Sequence, residues 1–345
     1  MRRWLVRTVV GLASAAVMVT PTAGTLLSPA SAAPAREPVG AAAWDAHHLP
    51  DPVRTDPVAA HRFLAGRADA ARLALEYPGV VGGLDGAPVS LRYAANRVAM
   101  RAAGGRYAGW HGNFLLFDPR GNGRVAQVFG DLTTADRIAV LVPGVDSRAE
   151  NFVRGLGGKS YRAPATQAAN LYRAAHDDRL AVIAWLGYDT PRGVGVAAAR
   201  EDLAATGSVA LQRFLTGLTV VRPGATIALF GHSYGSTVIG LAASRLPRQV
   251  TDIAVFGSPG MGVDRAAGLH TRATVWAGQA ERDWIGWVPA VRLFGLGHGT
   301  RPADPAFGAR VFPTADVPDH DHYLAPGTDS LVHLARIATG TEARS

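Results

Sequence analysis

The chain has 345 residues, enough for one large domain or two ordinary ones with a sizeable core. Apolar residues make up 48% and charged residues 18%, which excludes a disordered chain; the absence of cysteine excludes a disulfide scaffold, a thiol nucleophile, a cysteine-ligated zinc and a thiol redox centre. The formal charge of +8 is spread thinly, with Lys159 as the only lysine and no basic run interleaved with aromatics, so no nucleic-acid partner is expected.

The first 32 residues read as a signal peptide. A basic start, MRRWLVR, precedes an apolar stretch from Thr8 to Val19, and Ala30-Ser31-Ala32 is a small-residue cleavage site. Sec-type export with cleavage after Ala32 is the expectation. The alternative is a retained anchor, since Leu26 and Leu27 prolong the apolar stretch, but Pro21 and Gly24 interrupt it. No later run is long and apolar enough to span a bilayer, so the mature chain is expected to be secreted, with no stable membrane span.

Residues 33–55 are rich in Pro and Ala and read as a linker. One domain is expected over 56–345, beginning with a helical part over about 56–105. Asp56 caps a helix with Pro57 at its first position, predicted to run to Pro78-Gly79. A second helix is predicted from Pro88 to Ala103, ending at Gly104-Gly105. Asn113–Asp118 and Arg124–Phe129 flank PRGNG and predict a hairpin.

After Asp136 the pattern is strand, Gly-rich loop, helix, repeated. Buried strands are predicted at Ile138–Val142, Leu180–Trp185, Thr226–Phe230, Asp252–Phe256 and Ala273–Ala277, with a weaker one at Ala309–Phe312. Helices are predicted near 164–177, 196–217 and 236–246. Continuous β-branched runs suit a mostly parallel sheet covered on both faces, so the fold class is α/β with an N-terminal helical segment.

The chemistry centres on Gly231-His232-Ser233-Tyr234-Gly235, a G-x-S-x-G pattern between a strand and a helix. That context makes Ser233 a candidate nucleophile on a sharp turn, where glycines on either side leave room. His232 lies beside it in sequence, points away, and reads as a support residue. A serine hydroxyl needs a base, and the base an orienting acid. The acid should follow the next-but-one strand, where Glu281 and Asp283 are available. Asp283 heads Asp-Trp-Ile, whose apolar residue can turn back to the core, so Asp283 is preferred. The base should come later: His320 or His322, in the loop PDHDHY before the last helix. His298 comes too early, and His333 lies on a helical pattern. Two backbone N–H groups should form an oxyanion hole: Tyr234, after the nucleophile, and Val145, in the loop after the first parallel strand, with Gly144 as its neighbour. Trp276, Trp284, Trp287 and Phe294 cluster near the acid loop and read as core or as pocket lining.

Six segments carry a family resemblance: GGLDGAPVSLRYAANR, VLVPGVDS, WLGYDTP, LFGHSYGSTV, VFGSPGMGV and HDHYLAPGTDSL. Together they cover roughly residues 75–340. The chain resembles an actinobacterial α/β-hydrolase family long catalogued as a domain of unknown function. The resemblance implies an α/β-hydrolase fold and a serine hydrolase, without naming a substrate. The family pattern places a histidine three residues before the Tyr of the last motif, here His320 ahead of Tyr323.

The expected function is therefore a secreted serine esterase acting on a small-molecule or lipid-like ester through an acyl-enzyme, with Ser233, Asp283 and His320 as the triad. The alternatives are an exported acyltransferase with the same triad, a peptidase, or a non-catalytic binding module on a hydrolase scaffold. No metal or organic cofactor is implied: the sequence has no phosphate loop, dinucleotide fingerprint or zinc-ligand spacing.

Overall fold

The structure of the protein, a computed structural model, describes residues 37–47, 49–288, 290, 292 and 296–343. The expected signal peptide, the start of the expected linker and Phe294 lie outside the described residues. Among the described residues, no helix is long and apolar enough to cross a membrane.

Helices come first: α1 (Ala41–Ala46), α2 (Pro57–Ala65), α3 (Ala70–Glu76), α4 (Pro78–Val81), α5 (Val89–Ala103) and α6 (Gly105–Ala108). The Asp56 side chain accepts the Val58 N–H at 2.8 Å, and Pro57 opens α2, as the sequence predicts. The helix predicted to reach Pro78 is broken in two. It stops at Gly66, a poor helix former, and the Asp69 carboxylate ties Arg67 and Arg72 in the turn before α3. α1 lies inside the stretch read as a linker. Its Trp44 is fully buried, edge-on to Tyr77, and donates its Nε1–H to the Pro50 carbonyl at 2.7 Å. One aromatic anchor thus fixes a helix too short to show a periodic signal.

Eight strands form one sheet: β1 (Asn113–Asp118), β2 (Arg124–Phe129), β3 (Arg137–Val142), β4 (Leu180–Leu186), β5 (Thr226–His232), β6 (Val250–Phe256), β7 (Thr274–Gly278) and β8 (Arg310–Val311). Their order is β1-β2-β4-β3-β5-β6-β7-β8. β1 and β2 are the predicted hairpin, β2 is antiparallel to β4, and all other neighbours are parallel. The last strand keeps only two residues of the four expected.

The N-terminal helices are fastened to the sheet edge by the motif residues of 84–96. Arg92 is buried, donates to the Leu115 carbonyl at 2.6 Å and pairs with Asp85 at 3.1 Å. Asn96 donates to the carbonyls of Gly82 and Phe114 at 2.9 and 2.8 Å. These buried donors are all spent on backbone carbonyls and Asp85, so the segment acts as a structural clamp.

The remaining helices are α7 (Pro164–Ala175), α8 (Val196–Ala199), α9 (Asp202–Val221), α10 (Gly235–Ala242) and α11 (Asp329–Thr339). Along β3 and β5, Val140, Val142 and Leu229 join Leu211, Leu215 and Leu218 of α9 in one core. Ala139, Leu141 and Phe230 join Leu171 of α7 and Leu334 of α11 in another. The sheet is thus covered on both faces, which is why its strands read as unbroken apolar runs. The helix predicted over 196–217 is split, because Arg200 is extended between α8 and α9.

From β3 the chain first moves outward to β4, then returns to β5 on the other side of β3. The connections leave the carboxyl ends of β3 and β5 in opposite directions and open a crevice there.

Candidate active site

Ser233 follows β5 directly at that crevice. Its N–H donates to the Phe256 carbonyl at 3.0 Å, extending the β5–β6 ladder by one step. Its φ is 54°, a left-handed conformation that few non-glycine residues adopt. The turn is tight enough to dictate its neighbours. A Cβ on Gly235 would lie 2.2 Å from the Val142 carbonyl oxygen, and one on Gly231 would lie 2.9 Å from the Ser236 Cα. The two glycines of the motif let β5 bend sharply into α10 with Ser233 at the apex.

The loop after β7 carries Asp283, which is only 1% exposed. His320 reaches it from the loop before α11, with Nδ1 2.8 Å from Oδ1. Asp283 also accepts the Ile285 N–H at 2.9 Å and the Tyr323 hydroxyl at 2.7 Å. Burial would push this carboxyl up, but hydrogen bonds from His320, Ile285 and Tyr323 hold it below the ordinary carboxylate range. An ionised Asp283 can only accept, so Nδ1 of His320 carries the proton and Nε2 is the ring's basic nitrogen in the neutral form. Among the described residues Nε2 has no protein hydrogen-bond partner, and His320 and Ser233 line the same cleft.

Other candidates lie elsewhere. Glu281 is exposed on the same loop. His322 bonds Asp319 at 2.6 Å and stacks on Tyr161 at 4.1 Å between ring centroids. His298 is buried with Nε2 2.7 Å from the Ala198 carbonyl, and His333 bonds Glu342 from α11. His232 approaches the His320 carbonyl with Nε2 at 2.8 Å and stacks on Phe256. Burial, reinforced by the nearby His320, pushes the His232 imidazole down to about 4, so it stays neutral and Nε2–H donates.

The part played by Tyr323 escaped the sequence reading, whereas Trp284 was among the aromatics read there as core or pocket lining. Tyr323 bridges the acid loop: its hydroxyl accepts the Ala280 N–H at 2.8 Å while donating to Asp283. Trp284 packs against His320 with ring centroids 4.7 Å apart. Of the other aromatics, Trp276 is a core residue that donates to Asp252 at 3.0 Å, and Trp287 is 82% exposed.

The loop after β3 presses on Ser233. A Cβ on Gly144 would lie 2.7 Å from the Ser233 Cβ, so only glycine permits this approach. Tyr188 anchors the loop through Pro143 at 2.6 Å, and the Asp146 carboxylate accepts the Gly193 N–H at 3.0 Å. The N–H groups of Val145 and Tyr234 have no acceptor among the described residues.

A family model described as alpha/beta hydrolase matches residues 118–293, about half of the chain. The chain belongs to the alpha/beta hydrolase family. The matched span runs from the hairpin to just beyond the acid loop; it contains Ser233 and Asp283 and stops short of His320. Curated relatives include the uncharacterized protein Rv2079 of Mycobacterium tuberculosis, 33% identical over 259 residues, covering 66% of this chain and 39% of the relative. The uncharacterized protein Rv0963c of the same species is 33% identical over 145 residues, covering 41% of this chain and 53% of the relative. The chain therefore spans about two fifths to half of the length of these relatives. Similar solved structures include esterase PE8, with 15% identity, a TM-score of 0.41, and coverage of 63% of this chain and 99% of that one. A serine hydrolase from Xanthomonas campestris has 16% identity, a TM-score of 0.37, and coverage of 65% and 90%.

Proposed function

We propose that this hydrolase cleaves carboxylic esters through an acyl-enzyme on Ser233. The observation that carries the reading is the buried Asp283–His320 pair at the same sheet edge as the strained Ser233. His320 Nε2 takes the Ser233 hydroxyl proton as Oγ bonds to the ester carbonyl carbon. The carbonyl π electrons move onto oxygen, where the Val145 and Tyr234 N–H groups receive the charge. The carbon–oxygen bond to the alcohol then breaks, and the departing oxygen takes the proton back from Nε2. Water repeats the sequence on the acyl-Ser233 and releases the carboxylic acid. Asp283 keeps the imidazole in the productive tautomer and stabilises the imidazolium while it lasts.

The test is hydrolysis of p-nitrophenyl butyrate by wild type and Ser233→Ala. A loss of about three powers of ten or more is expected in the variant, with the fold intact by circular dichroism. Equal rates would refute the reading, and no turnover by either protein would favour a binding module on this scaffold.

We also take residues 1–32 as an export signal, on the strength of the basic start, the apolar stretch and Ala30-Ser31-Ala32. Amino-terminal sequencing of protein recovered outside the cell should begin at Ala33; an intact Met1 on membranes would identify an anchor instead.

A further inference from the structure

Two clefts meet at Ser233, and their chemistry differs. One, of about 270 Å³, is lined by Asp146, Asn151, Arg162, Gln167 and Asp321 beside His320. The other, of about 210 Å³, is lined by Ala198, Ala199, Pro259, Ile285 and Val288 beside Tyr234. Val145, Val194, Ser233 and Trp284 line both. The charged side chains of the lining thus all lie on the His320 side of Ser233, in a cleft that Leu156 and the shared Val145, Val194 and Trp284 also line.

The position of His320 says which part of a substrate belongs in each cleft; this step rests on the reading under Proposed function. The imidazolium must return its proton to the oxygen of the departing alcohol, so that oxygen lies on the His320 side. His320 lines the polar cleft and is absent from the walls of the apolar one. The acyl chain leaves the same carbonyl carbon in the other direction, past the Tyr234 N–H, into the apolar cleft.

The polar cleft also narrows the alcohol. Its walls carry the carboxylates of Asp146 and Asp321 and the single guanidinium of Arg162, which pairs with Asp321 at 3.1 Å. Asp146 in turn pairs with Arg148 at 3.4 Å, so both carboxylates are balanced and, among the described residues, the lining offers no unpaired cation for an anionic headgroup. Carboxylates, a guanidinium and side-chain amides together match hydroxyl groups, which both donate and accept.

We infer that the substrate is an ester of an apolar acyl chain with an uncharged polyhydroxy alcohol, the acyl chain in the Ala198–Val288 cleft and the hydroxyls against Arg162 and Asp321. Burial of each added methylene should raise kcat/KM about four-fold until the apolar cleft is full.

The experiment compares p-nitrophenyl acetate, butyrate and octanoate, and separately methyl octanoate against glucose monooctanoate. Wild type should prefer octanoate to acetate, and the glucose ester to the methyl ester by at least about ten-fold, the worth of one charge-assisted hydrogen bond. Ala198→Trp, or Val288→Trp in the same cleft should the first misfold, should collapse the octanoate-to-acetate ratio and keep the alcohol preference. Arg162→Leu should do the reverse. Flat wild-type profiles, or the two variants exchanging their effects, would overturn the assignment. Fluorophosphonate labelling of wild type keeps the two failures apart. A labelled enzyme with flat profiles sinks the lobe assignment alone, whereas an unlabelled one sinks the serine-hydrolase reading beneath it.

Discussion

Replacing Tyr323 by Phe removes one oxygen and leaves the ring packed on Phe256, 5.5 Å away. That oxygen makes two buried hydrogen bonds, accepting from Ala280 N–H and donating to the ionised Asp283. An orphaned buried N–H costs about 1–3 kcal/mol, and a hydrogen bond to a charged group contributes about 1.5–3 kcal/mol. The variant should therefore lose about 3 kcal/mol of stability, a fall in melting temperature of about 5 °C. The sign of the pH effect follows from Asp283. Its carboxyl is held below the ordinary range, so its contribution is complete above that range and disappears as pH falls through the lowered value. Without the Tyr323 hydroxyl one restraining bond is gone, and the acid loss should begin at higher pH. Turnover should fall about ten-fold and not collapse, because Ile285 and His320 still hold the carboxylate. Thermal unfolding followed by circular dichroism between about pH 2 and 8, with p-nitrophenyl butyrate kinetics, tests all three. An unchanged melting temperature and an unmoved acid limb would refute the view that the Tyr323 bridge holds Asp283.

His320→Ala should match Ser233→Ala in turnover, and their double variant should be no worse than either, because the groups act as one unit. His322→Ala should keep at least about a tenth of the rate, since His322 is engaged with Asp319 and Tyr161; a steady-state comparison of the pair decides. Gly235→Ala should fail to fold or unfold at much lower denaturant, because the new methyl meets backbone oxygen at 2.2 Å; a wild-type urea midpoint would contradict the geometry of the turn. His232 is buried neutral, so the unfolded chain binds more protons between its ordinary value near 6.5 and about 4, and stability should fall as pH drops through that window. The full effect is on the order of 3 kcal/mol, and His232→Gln should flatten that part of the urea-midpoint profile.

Much of this architecture was readable because burial on both faces writes itself into composition. β3 to β7 are runs of Val, Ile, Leu and Ala, and each begins and ends within a few residues of its predicted bounds. Ser233 was legible for a similar reason: Gly231 and Gly235 record a backbone approach that no other residue allows. Asp283 stood out from Glu281 because the apolar Ile285 two residues on turns the loop inward, and its N–H caps the carboxylate. The remainder depends on contacts without periodicity. Tyr323 reaches Asp283 across 40 residues from an irregular loop, so nothing local marks it. α1 rests on a single buried Trp44 in an Ala-rich stretch, and the break at Gly66 interrupts an otherwise helical composition. The two clefts combine residues from the six connections that follow β3 to β8, an arrangement that only the sheet order brings together.

The reactivity of Ser233 itself is the most direct measurement. Incubation with a fluorophosphonate, followed by proteolysis and mass spectrometry, should place one phosphonyl adduct on the peptide containing Gly231-His232-Ser233-Tyr234-Gly235, at near-stoichiometric yield. Ser233→Ala should show none, and His320→Ala should react far more slowly, because in the proposed mechanism the imidazole is the base that frees the hydroxyl. An adduct on another residue, or equal labelling of wild type and Ser233→Ala, would contradict a nucleophile at this turn.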